Sequence, residues 1–162
     1  MNNDGKLLDV TIRRALTGEG AHVEAEHAFA GLEWRMAGLR PDKAIHSIYQ
    51  LLNHLIYWQE WAIKWLKGKR PPIPKHASGS WPGAASPATR EEWDEAVRRF
   101  RKGLEELGRL SKGTDLLLKK GGKSPLEMLH TIASHNSYHI GQIVVLRQML
   151  SSWPPPSGGL TW

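Results

Sequence analysis

Two histidines, His135 and His139, stand four residues apart in the run Ser134-His135-Asn136-Ser137-Tyr138-His139-Ile140. On a helix this spacing is just over one turn, so both imidazoles share a face and can grip one ion between them. With His135 at zero and 100° per residue, Met128, Ile132, Gln142, Leu146 and Met149 lie within about 60° of it. The pair therefore points inward. A buried imidazole needs a partner, and a shared divalent metal is one. Hydrogen bonding within a packed core is another, and the spacing alone leaves both readings open.

The chain has no cysteine, which excludes disulfides, thiolate metal sites and a thiol nucleophile of its own. Any metal must use nitrogen or oxygen ligands. Imidazole suits zinc, nickel, copper or iron, and the sequence does not choose among them. Gln142, Tyr57 and Tyr138 are candidates for groups behind the ligands, although each also suits plain packing. His22 and His27 have no suitably spaced partner and read as surface or packing histidines.

Helical elements must position these side chains. A segment over about 6–39 carries Leu7, Leu8, Ile12 and Leu16, is interrupted at Gly18-Glu19-Gly20, and resumes through Val23, Phe29 and Leu32. It predicts a helix broken or bent at the glycines. Ser47 and Gln50 form a capping-box pattern for a second helix that stops near Gly68. His54, Trp58, Trp61 and Trp65 make one stripe along it, read as core with a tolerated histidine or as the wall of an apolar pocket.

Residues 69–88 hold Pro71, Pro72, Pro74, Pro82 and Pro87 with no helical pattern. So long a connection suits a crossover running the length of the molecule, which lets the third helix lie parallel to the second. Thr89 and Glu92 cap that third helix, with Trp93, Ala96, Val97, Phe100, Leu104 and Leu107 on one face. Ser124-Pro125-Leu126-Glu127 opens a fourth, running to about Leu150. Ile140 and Val144 lie roughly opposite its inward stripe, which predicts a second buried surface and a homodimer.

At 162 residues the chain is long enough for one cored domain, 1–162, with 151–162 as a Pro/Trp-rich arm docked on the body or on a second subunit. The N-terminus is polar and no apolar run approaches the roughly 20 residues of a membrane span, so a soluble, cytoplasmic protein is expected. The net charge is +6 with a pI of 9.7. Its basic residues are scattered among carboxylates as a solvated face, so nucleic acid is not the expected partner.

Taken together, the chain resembles the DinB-like family of four-helix metalloproteins. The residues that carry the likeness are Gly18-Glu19-Gly20-Ala21-His22 and His46-Ser47-Ile48-Tyr49-Gln50-Leu51-Leu52-Asn53-His54. Trp81-Pro82, Ser134 to Gln142 and the Trp153-Pro154-Pro155-Pro156 tail add to it. The resemblance implies an all-α, up-down-down-up four-helix bundle with the long crossover between helices two and three. It maps the family's metal triad onto His54, His135 and His139. Three histidines leave coordination positions for water or substrate, as in catalytic sites. The implied activity is that of a metal-dependent hydrolase or of a transferase using a low-molecular-weight thiol such as bacillithiol or mycothiol. A non-enzymatic metal-binding stress-response module is the alternative.

Overall fold

The computed structural model describes residues 3–113, 115–119 and 122–158. It consists of four long helices, α1 (Asn3–Thr17), α2 (Ile48–Leu66), α3 (Arg90–Gly113) and α4 (Pro125–Met149), with no strand among the described residues. Helix α2 packs on α3 and α4, and α1 packs on α4 and α3. Among the described residues, no helix is long and apolar enough to cross a membrane.

The two helices that carry the histidines start where local chemistry says they should. Ser47 accepts from the Gln50 N–H at 3.1 Å and the Gln50 side chain accepts from the Ser47 N–H, a complete capping box. Ser124 and Glu127 close the same box on α4, with Pro125 in the first turn. On α3 only half the box forms. The Glu92 N–H donates to Thr89, but the Glu92 carboxylate turns to the Ala88 N–H and the Tyr49 hydroxyl. Trp93, Ala96, Phe100 and Leu107 are buried there, with Val97 and Leu104 at the edge.

Helix α1 ends at the glycines as expected, with Gly18 at φ +85° and Gly20 at φ +76°. Beyond them the expected second helical stretch is absent. Turns and two short 3-10 helices, His27–Phe29 and Met36–Gly38, occupy that region. Ala25, Ala28, Phe29 and Leu32 are spaced i, i+3, i+4 and i+7 as on one helical face, and all four are buried with Val23 and Ala37, yet the segment forms turns and 3-10 helices. The segment follows the core instead of its own periodicity.

Two clusters make up that core. One joins Phe29 and Leu32 to Leu52, Leu55, Phe100, Ile140 and Ile143; the other joins Ile12 and Leu16 to Ala62, Trp65, Leu107, Leu129 and Ile132. Ile140 is buried and Val144 packs against the first cluster, so the second apolar face of α4 is covered within the chain. Of the inward stripe, Met128, Ile132 and Leu146 are buried. Met149 is 56% exposed, because the helix ends there and its side chain outruns the core.

The crossover has no long helix, only a 3-10 turn at Ala77–Ser80. Side chains of α2 and its cap pin it by its carbonyls. Trp61 donates its indole N–H to Pro72 at 3.0 Å, the His54 ring meets Ser80, and the Ser47 hydroxyl donates to Ala85.

The C-terminal arm docks on the body of its own chain. Pro156 abuts Gly31, leaving no room for a Cβ there, and Ser157 meets His27 at 2.9 Å. Arg147, 1% exposed, donates to the Ala28 carbonyl at 2.8 Å and to the Ser152 carbonyl, while Trp153 stacks on its guanidinium. The end of the arm, residues 159–162, lies outside the described residues.

Candidate metal centre

Helix α2 and helix α4 bring His54, His135 and His139 to one point. Each offers a ring nitrogen, and these nitrogens lie within 4.8 Å of one another. The ring centroids are 4.5–5.1 Å apart. His54 and His139 are each 6% exposed, and His135 is half-buried. Glu24, Glu26 and His27 form another converging group, but it lies at the surface.

The donor set suits a divalent ion. Two metal–nitrogen bonds of about 2.0–2.1 Å meeting at a tetrahedral angle hold their nitrogens about 3.3 Å apart. The Nε2 atoms of His54 and His135 are 3.2 Å apart. Their partners also choose the tautomers. His54 Nδ1–H donates to the Ser80 carbonyl at 3.1 Å, and His139 Nδ1–H donates to Gln142 Oε1 at 2.7 Å. Both rings thereby present the Nε2 lone pair to the centre.

His135 is different. Its Nδ1 is buried, with no hydrogen-bond partner among the described residues. Two facing Nε2 lone pairs would repel, so with His54 fixed by Ser80, His135 supplies an Nε2–H to the 3.2 Å contact.

Burial dominates the protonation of these groups. It pushes the imidazolium pKa of His54 and of His135 down to about 4. For His54 the Ser80 hydrogen bond opposes this, and the neighbouring histidines His139 and His46 add to it. For His135 the neighbours His139 and His54 add to it. His139 is lowered by burial against the pull of Gln142. All three rings are thus neutral at pH 7, the form that binds metal.

Aromatic rings wall the centre. The indole of Trp81, from the crossover, lies flat on His54 at 3.9 Å and 4°, and His46 lies flat on the other indole face at 3.7 Å and 6°. Trp58 turns an edge toward His54 and His135, and Tyr138 packs edge-on to His139.

Of the groups expected behind the ligands, Gln142 holds His139 directly. Tyr138 touches it through its ring, and Tyr57 contacts Trp58. Within the tryptophan stripe, Trp58 packs on both the triad and the second core cluster, whereas Trp65 is buried in that cluster. His22 is a packing histidine, bonded to the Val23 carbonyl and to Ser137 Oγ.

Ser80, Trp81 and His46 carry no helical spacing that would have singled them out. The one visible signal was a lone Trp-Pro within Ala77-Ser78-Gly79-Ser80-Trp81-Pro82, where a large ring in a small-residue loop needs a surface to lie on.

Residues 19–143, more than half of the chain and the span that includes all three histidines, match the sequence profile of the DinB superfamily. The chain belongs to the DinB superfamily. No curated protein and no solved structure gives a significant match. Membership in the DinB superfamily and the converging nitrogens agree on the same three residues, a group able to hold a divalent metal.

Proposed function

We propose that this DinB-superfamily protein is a metal-dependent enzyme whose zinc or nickel ion is held by His54, His135 and His139. The reaction type we favour is hydrolysis or low-molecular-weight thiol transfer. The single observation that carries the proposal is the convergence of three neutral imidazoles, two of them set by Ser80 and Gln142 to turn Nε2 toward one point. An ion held there supplies Lewis acidity, lowering the pKa of a water or of a cofactor thiol, since the chain has no thiol of its own.

The chain's own residues do the rest. His54 and His139 stay unprotonated at neutral pH, Gln142 and Ser80 keep their rings from turning, and Trp58 and Trp81 exclude water from two sides. An up-down-down-up course, α3 running in the direction of α2, belongs to the same proposal, as does a single domain.

Metal analysis of protein purified without a histidine tag tests it. About one transition-metal ion per chain is expected, lost in His135→Ala. Full metal content in that variant refutes the assignment.

One observation favours a second reading, a binding module with a structural metal. Among the described residues, the hydrogen-bond and ring partners of the triad are Ser80, Gln142, Trp58, Trp81, Tyr138 and the histidines themselves, with no carboxylate or lysine. An exchangeable water on the bound ion supports the enzyme; a fourth protein ligand sealing it supports the module.

A further inference from the structure

The crossover touches His54 with two consecutive residues, and they restrain different motions. The Ser80 carbonyl accepts the Nδ1–H in the plane of the ring. The Trp81 indole lies 3.9 Å above that plane and blocks its tilt. Neither contact is loose. Ser80 is buried and ties its own hydroxyl to the Ala77 carbonyl at 2.8 Å, and the Trp81 N–H bonds to the Ser78 carbonyl at 3.1 Å. Pro82 holds Trp81 extended, at φ −104° and ψ 138°, and His46 backs the indole from its far side.

We propose that the crossover is a metal-coupled strap in which Trp81 is a positioning residue for the ligand His54. The inference rests on the three-histidine centre. An imidazole turns freely about its last side-chain bond, and a ligand that must find its orientation on binding loses affinity. Ser80 and Trp81 fix that orientation beforehand. Linkage makes the effect reciprocal: a metal that holds His54 Nε2 also strengthens the hold of His54 on the strap.

The strap has fixed ends, Trp61 on Pro72 and Ser47 on Ala85, and its middle pin is the ligand itself. Between the first and middle pins lies an exposed run, Lys75 to Gly79. Trypsin can report the strap's attachment by cutting after Lys75.

The experiment combines zinc titration by calorimetry with limited trypsin digestion, for the wild type, Trp81→Ala and Trp81→Phe. Trp81→Ala is expected to bind zinc about 10–100-fold more weakly, with Trp81→Phe restoring most of the loss because a ring can still stack. Zinc should slow cleavage after Lys75 in the wild type and do so much less in zinc-saturated Trp81→Ala.

Equal zinc affinity and equal protection in Trp81→Ala overturn the strap while leaving the metal centre standing. A wild type that binds no zinc or nickel overturns both. If Trp81→Ala loses helical circular dichroism, His46→Ala decides instead, since it frees only the outer indole face. A several-fold weaker zinc affinity there supports the proposal, and an unchanged one overturns it.

Discussion

Acid should destabilise the metal-free protein well before its carboxylates titrate, and His54 should account for a measurable share. A histidine in the unfolded chain has a pKa near 6.5, whereas burial holds His54 at about 4. The folded pKa is the lower one, so the unfolded state binds more protons as pH falls through 6.5. Stability is therefore complete above pH 6.5 and is lost progressively down to about pH 4.

At pH 5 the unfolded imidazole is almost fully protonated and the folded one almost not. Linkage then gives a loss of about 2 kcal/mol from this one group, relative to pH 8. The variant His54→Phe keeps a flat ring against Trp81 and has nothing to protonate. It leaves the Ser80 carbonyl without its donor and the His135 Nε2–H without its acceptor, a cost of about 1–3 kcal/mol for each that is present at both pH values. Urea unfolding of chelator-treated protein at pH 8 and pH 5 separates the two effects. The wild type should lose about 1–2 kcal/mol more than the variant between these pH values. Parallel losses would refute the burial argument for His54. Glu106, held down to about 2 by Arg109 and Lys67, loses its stabilising ionisation only below about pH 4.5 and does not enter this window.

Replacing Gln142 by Leu removes the acceptor that holds His139 at 2.7 Å, and zinc affinity by calorimetry should fall about 10–100-fold with little change in helicity. Arg147→Leu keeps the packing volume but strands the carbonyls of Ala28 and Ser152. Urea unfolding should show a loss of about 2–4 kcal/mol.

Helices α2, α3 and α4 were legible in the sequence because their starts are local events. Ser47 with Gln50, and Ser124 with Pro125 and Glu127, close their caps within four residues. The break at Gly18 was equally local. The stretch from Val23 to Leu32 was not, since its apolar spacing suggested a helix while burial against helices remote in sequence set an irregular course.

The same distinction runs through the site. His135 and His139 announce themselves by spacing on one helix, whereas His54 comes from another helix and was reached through the family likeness. Ile140 and Val144 pack with the first core cluster of their own chain, which the pattern of a single helix face could not show, and the homodimer stands as a proposal beside that packing. Trp81 and Ser80 act on the ligand across a loop closure, which no local pattern encodes.

The guanidinium of Arg147 has an implication for how the molecule is completed. It clasps a carbonyl near the beginning of the chain, at Ala28, and another just past the last helix, at Ser152. A nascent polypeptide can assemble its first helices early, but the stretch around Ala28 finds its fastening only after the final turn of α4 and the residues beyond it have emerged. That segment, which shares the first core cluster with Ile140, is thus the closing piece of the fold, and shortening the tail before Ser152 would strip it of the contacts of Pro156 at Gly31 and Ser157 at His27.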